Sequence, residues 1–336
     1  MNKEVDLSKY KTHTDLAIEI LDDYKDYIKV DNEEIKDIKI TTVKVKDDIE
    51  NNIKKGLYLT IEFTDITDMD NLESVKEIFI DKLKYVLKKS KIKDKDSCLI
   101  VGLGNKNSTP DSLGPKCIDN IITTSHLFEL NLVSENFRRT YTLTPGVMSN
   151  TGIETKDYIK SITTITKPDF IIVIDALASR SVERLNKTIQ ISSSGIIPGS
   201  GVGNSREEIS FNTLGIPVIA IGVPTVVDAA TIVTDTINFL YKYYAYNKDS
   251  TIQILNKLSL NKANYLKKDI NLNINDKQKI FGIIGNLKDE EIHELISEVL
   301  QPINYNLMVT TKEIDFLIDK LTELISDGIN KSLHQI

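Results

Sequence analysis

Phe170-Ile171-Ile172-Val173-Ile174-Asp175 sets five consecutive apolar residues against a carboxylate. A strand with one wet face alternates polar and apolar residues, whereas an unbroken apolar run suits a strand covered on both faces, as in a parallel sheet between helical layers. Cys98-Leu99-Ile100-Val101-Gly102 and Val218-Ile219-Ala220-Ile221 have the same character. Helical stretches separate them: one starts at Pro115, a favoured first helical position, a second runs from Glu154 to Ile165, and a third from Val227 to Tyr244. Strand–helix alternation of this kind predicts an α/β fold, a doubly wound and mostly parallel sheet flanked by helices. Arg139–Leu143 and Thr188–Ser192 read as further strands.

Upstream, Leu16–Ile28 carries apolar residues at helical spacing, and Thr14 or Asp15 can cap it. Strands follow around Ile38, Ile40 and Thr42 and along the alternating Leu57, Leu59, Ile61 and Phe63. Leu72–Lys89 is an amphipathic helix. Residues 1–15 are polar and aperiodic, a detachable arm. After Tyr246 the chain turns to Asn, Lys and Asp as far as Lys279, and two amphipathic helices, Glu290–Leu300 and Lys312–Ile325, close it. This predicts an α/β body over 16–246 and a helical C-terminal region over 247–336 packed on it.

Composition narrows the function. The 336 residues carry 42 Lys+Arg against 49 Asp+Glu, net −7, with both signs spread along the chain, which argues against a general nucleic-acid binder. The N-terminal MNKEVDLSKYK lacks the apolar core of a signal peptide, and Gly222, Pro224 and Asp228 break the longest apolar stretch, so no membrane span is expected. Two cysteines, Cys98 and Cys117, cannot build a disulfide scaffold and fit a reducing cytoplasm.

In open α/β sheets ligands bind beyond the carboxyl ends of the strands. Three loops then matter: Gly102–Pro115, Asp175–Arg180 and Gly222–Asp228. The first two bring Asp111 and Asp175 to neighbouring strand ends. Two carboxylates in one pocket do not both ionise easily, so one can serve as acid and the other as base. The same two could hold a hard cation, or simply cap loops. Asp175 has the stronger case, because it ends an apolar run where a charge needs a reason. The glycine-rich Gly195–Asn204 loop could let backbone approach an extended peptide or an oxyanion. Gly102-Leu103-Gly104 fails as a dinucleotide fingerprint, since Asn107 stands at the third glycine position, and no P-loop, HExxH, G-x-S-x-G or D-[ST]-G motif occurs. The histidines, His13, His126, His293 and His334, are scattered, and neither cysteine has a histidine placed to serve it.

Taken together, seven segments resemble the germination proteases of spore-forming Firmicutes: Thr12–Glu19, Gly102–Asn105, Thr109–Pro115, Thr144–Met148, Ile174–Arg180, Pro198–Asn204 and Gly222–Ala229. They keep that family's order and cover most of the chain up to Tyr246; the C-terminal third matches by position and length. The resemblance implies an atypical aspartic endopeptidase with a fold like the hydrogenase-maturation proteases, degrading small acid-soluble spore proteins in the cytoplasm of the spore. It implies Asp111 and Asp175 as the catalytic aspartates, a homotetramer, and a zymogen that processes itself. Family substrates are cut after an acidic residue and before a bulky apolar one followed by alanine. Asp15-Leu16-Ala17 fits that pattern, which makes residues 1–15 a propeptide cleaved between Asp15 and Leu16. Asn105, Gly199, Gly201 and Gly203 are the expected supports for the peptide or the oxyanion, and neither metal nor other cofactor is expected. The chain departs from the family at Ser112, usually Ala, which could add a hydrogen bond beside Asp111, and at His13, usually Arg. Two rival readings remain: a metal-dependent peptidase using the same aspartates, and a non-catalytic module that binds spore proteins.

Overall fold

The computed structural model describes residues 14–19, 28–48, 54–202, 206–248, 270–300 and 307–335. They form two compact units. The larger comprises His13–Ser179, Glu183–Val227 and Val309–Ile336, and the smaller includes Arg180–Val182 and Asp228–Met308.

The larger unit is built on a sheet of β1 (Ile28–Ile35), β2 (Ile38–Val45), β3 (Gly56–Glu62), β4 (Cys98–Gly102), β5 (Thr140–Leu143), β6 (Phe170–Ser179), β7 (Thr188–Ser192) and β8 (Val218–Asp228), in the order β1-β2-β3-β7-β8-β6-β4-β5. The part β8-β6-β4-β5 is parallel, as expected. The part β1-β2-β3-β7 is antiparallel and joins β8 antiparallel. The sheet is therefore mixed, a correction to the mostly parallel expectation. The alternating β2 and β3 belong to this second half.

The apolar runs are covered on both faces. Cys98 and Ile100 of β4 and Ile172 and Ile174 of β6 pack under α1 (Met69–Lys89), α2 (Leu113–Asp119) and α10 (Ile314–Leu333). Leu99, Val101, Ile171 and Val173 face the other way, against Ile159 and Ile162 of α5 (Thr155–Thr166). Short helices α3 (Ser125–Glu129), α4 (Met148–Thr151) and α6 (Phe211–Leu214) link the strands. Asp68 caps α1 by accepting from the Asn71 N–H at 2.9 Å. The last helix is longer than its expected Lys312–Ile325 span and central to the core: Ile318, Leu321, Leu324, Ile325 and Ile329 are fully buried.

Three local expectations are corrected. The described part of the Leu16–Ile28 helix is a 3₁₀ turn, Ala17–Glu19, and Ile28 opens β1. β1 reads IKVDNEEI with six exposed residues, an edge strand whose charges mask it from hydrophobic patterning. β6 and β8 run past their apolar cores into the stretches read as loops, pairing Asp175 with Gly222 and Ser179 with Val227. The register slips between Leu177 and Ala178, opposite Pro224, where the missing N–H breaks the ladder. The helix expected at Pro115 begins two residues earlier, at Leu113.

In the smaller unit, Ile237, Tyr241 and Ala245 of α7 (Ala229–Lys248) pack with Leu272 and with Ile292 of α9 (Asp289–Leu300); α8 (Ile274–Phe281) lies in the stretch read as a polar connection. His293 approaches Asp228 at 3.2 Å, and that contact helps hold the Asp228 carboxyl below its ordinary range despite burial. Among the described residues, no helix is long and apolar enough to cross a membrane.

Candidate active site

The loop after β4 is tied to β6 by backbone. The Leu103 N–H donates to Ile174 O at 2.8 Å, one residue before Asp175. The loop then closes on itself: the Asn105 N–H reaches both the carbonyl oxygen of Asp111, at 3.0 Å, and its carboxylate Oδ2, at 2.9 Å. Gly104 makes this turn possible. It sits at φ +108°, and a Cβ there would stand 2.1 Å from Asp111 O and 2.8 Å from Asp111 Oδ1. Asp111 ends a 3₁₀ turn, Thr109–Asp111, half-buried. The Asn105 side chain is spent locally, accepting from the Asn107 N–H at 3.0 Å. Ser112, fully buried, donates to Thr109 O at 2.8 Å and so closes the turn, giving the aspartate no hydroxyl donor.

Asp175 sits inside β6, only 6% exposed, and Oδ1 accepts from the Ala176 N–H at 2.9 Å. Burial drives its carboxyl well above the ordinary range, and the negative charges of Asp111 and Asp15 drive it further. Burial also pushes Asp111 up to about 6, against the opposing Asn105 hydrogen bond. Both carboxyls are thus held above their ordinary range, and the Asp111 charge opposes ionisation of Asp175. An ionised carboxylate beside a protonated one is competent for general base and general acid chemistry on one substrate.

The structure brings a third carboxyl to this place. Asp15 lies against the end of β6: its N–H donates to Ala178 O at 3.3 Å, and the Ala178 N–H returns a bond to Asp15 Oδ2 at 3.0 Å. The Ser200 hydroxyl donates to Oδ1, and the Gly201 N–H also reaches the carboxylate. A Cβ on Gly201 would stand 2.2 Å from Asp15 Oδ2 and 2.8 Å from the Ala178 Cβ, so the seat requires glycine. Burial nevertheless outweighs these donors and raises the Asp15 pKa, and the Glu19 charge adds to the rise. Leu16 is fully buried, and Ala17 packs with Val43, Val45 and Tyr58. Gln190 of β7 spans the segment: its Oε1 accepts from the Ala17 N–H at 2.7 Å and its Nε2 donates to Asp15 O at 2.9 Å. Beyond, Glu19 accepts from Ser179 Oγ at 2.7 Å and Arg184 Nη1 at 3.2 Å.

Asp111, Asp175, Asp15 and Gly201 thus converge. Gly199 shapes the turn before Ser200 at φ +72°, and Asn105 contributes its backbone N–H. Gly203 and His13 lie outside the described residues. Sequence reading does not single out Ser200, Ala178 or Gln190. Gln190 does carry a signal: it is a polar residue in the buried run Thr188-Ile189-Gln190-Ile191-Ser192, where an amide needs partners. His126 is exposed, and Cys98 and Cys117 are buried in the core. Among the described residues, no group of three or more His, Cys, Asp or Glu side chains is arranged to hold a metal ion.

Residues 7–336 match the family model described as germination protease. The chain is 45% identical to the germination protease of Priestia megaterium, over 99% of this chain and 96% of that one. It is 44% identical to those of Geobacillus sp. and Bacillus subtilis, over 100% and 99% of this chain and 97% and 96% of theirs. Matched along nearly its whole length by that model and by these relatives, the chain belongs to the germination protease family of peptidases.

Proposed function

We propose that the chain is an aspartic endopeptidase that begins the breakdown of small acid-soluble spore proteins at germination, and that it is made as a zymogen that cuts itself between Asp15 and Leu16. Residues 1–15 are then the propeptide. The observation that carries this reading is the seating of Asp15-Leu16-Ala17 along the end of β6, its acidic side chain coupled electrostatically to Asp175. A segment that obeys the family's cleavage pattern lies in the cleft as a substrate would, and while there it keeps other chains out.

The chemistry needs one aspartate ionised and the other protonated. Asp111, ionised above about pH 6, takes a proton from the attacking water. Asp175, whose burial favours the protonated form, supplies a proton to the departing amine. In substrates, the Ala178 N–H, Ser200 and Gly201 receive the acidic side chain before the scissile bond. We read the helix-covered sheet as that of the hydrogenase-maturation proteases. We also infer a homotetramer acting in the cytoplasm of the spore, without nucleic acid, membrane or cofactor as partner.

The test uses the form that begins at Leu16 and a purified acid-soluble spore protein, with and without a metal chelator. Cleavage is expected in both conditions, and to be nearly abolished in Asp111→Asn and Asp175→Asn proteins that remain folded. Binding without cleavage would contradict the enzyme reading, and loss of activity in chelator would contradict the metal-free mechanism.

A further inference from the structure

We propose that Gln190 is a catalytic residue: its side-chain Nε2–H is the donor that stabilises the oxyanion formed on the scissile carbonyl. The inference rests on the reading that Asp15–Leu16 is the bond cut, for Asp15 O is then the scissile carbonyl oxygen. Gln190 Nε2 stands 2.9 Å from it, within the range of an oxyanion-hole donor.

The orientation of the amide is determined by its partners. The Ala17 N–H can only donate, so it must meet Oε1, at 2.7 Å. The Asp15 carbonyl can only accept, so it must meet Nε2. A flipped amide would lose both bonds. Gln190 is 8% exposed and held in the middle of β7, paired with Thr60 of β3 on one side and Gly222 of β8 on the other. The donor is therefore fixed before reaction and shielded from water, the two conditions under which such a hydrogen bond is strongest. The two bonds also bracket the scissile C–N bond, one on the Asp15 carbonyl before it and one on the Ala17 N–H after it.

This divides the labour at the site. Water adds to the Asp15 carbonyl carbon and gives a proton to the Asp111 carboxylate, while the carbonyl π pair moves onto oxygen and is held by Gln190 Nε2–H. As the intermediate collapses, the C–N bond breaks and the proton of Asp175 passes to the Leu16 nitrogen. One water is consumed, one carboxyl and one amine appear, and the aspartate pair has exchanged which member is protonated. With Gln190 on the oxygen, the Asp175 proton is left for the leaving nitrogen.

The test measures, in the full-length chain, the rate at which a species beginning at Leu16 appears, and, in the form produced to begin at Leu16, kcat and KM on a synthetic peptide of residues 10–22. Gln190→Glu replaces the donor by an acceptor of the same shape. Gln190→Met keeps the length without polar atoms and carries the test if Gln190→Glu does not fold. Removing one oxyanion donor is expected to lower kcat by about 10²–10³-fold. KM should change by less than about tenfold, because the interaction strengthens in the transition state. The activity of Gln190→Glu relative to the unaltered chain should rise as pH falls, since the introduced carboxyl, once protonated, would donate its O–H and partly restore the hydrogen bond; a purely structural contact would show no such recovery. Folded variants within threefold of the unaltered kcat, or a loss confined to KM, would overturn the assignment while leaving the cleavage reading intact. If the unaltered chain is never cut between Asp15 and Leu16, the failure lies in the underlying reading, and the assignment falls with it.

Discussion

Replacing Asp111 by Asn should make the protein more stable while removing its activity, and the gain should grow with pH. Burial raises the Asp111 carboxyl from its ordinary 3.8 to about 6. Because the folded value lies above the unfolded one, the folded chain binds this proton more tightly. The associated stability is fully present below about pH 4 and is lost as pH rises through about 6. At about 1.4 kcal/mol for each tenfold change in affinity, the loss in the unaltered chain reaches about 3 kcal/mol at pH 8. At pH 4.5 only about 1 kcal/mol of it has been lost, since the unfolded carboxyl is already mostly ionised there. Asn does not ionise, and its side-chain oxygen can still accept from the Asn105 N–H. The variant should therefore exceed the unaltered chain by about 1 kcal/mol at pH 4.5 and about 3 kcal/mol at pH 8. Urea unfolding followed by circular dichroism at the two pH values measures both. An equal difference at the two pH values, or a variant less stable at pH 8, would refute the claim that Asp111 is held against its tendency to ionise.

Gly201→Ala should slow self-cleavage at least tenfold, because the added methyl occupies the seat of the Asp15 carboxylate and presses on the Ala178 Cβ behind it; mass spectrometry of the processed chain reads the rate. Leu324→Ala should destabilise the larger unit by about 2–5 kcal/mol, measured by denaturant unfolding, since Leu324 of α10 is wholly inside the main cluster. Burial pushes the Cys117 thiol up to about 12 and raises Cys98 as well, so iodoacetamide should label neither in the native protein at pH 8 and both once it is unfolded.

What the sequence makes legible here is what burial writes into it directly. β4, β6 and β8 are continuous apolar runs because helices cover both faces, and the same runs lead to Asp111, in the loop after β4, and to Asp175, just past the apolar part of β6. β1 escapes notice because an edge strand with six exposed residues carries no hydrophobic period. The strand order is hidden for a different reason: β7 inserts between β3 and β8 through long-range pairing that local composition does not encode. Asp175 and Gly222 read as loop residues, since Asp, Ala, Gly and Pro disfavour strands, but pairing between β6 and β8 overrides that preference. At the site, the carboxyls can be found from their places beside apolar runs. Gln190 and Ser200 cannot be assigned in the same way, because their role depends on which distant segment lies against them.

The most direct measurement is the mass of the full-length chain after incubation at neutral pH, compared with that of Asp175→Asn. A product beginning at Leu16 is expected from the unaltered chain and none from the variant. A product with another N-terminus, or the same product from Asp175→Asn at an unchanged rate, would contradict it.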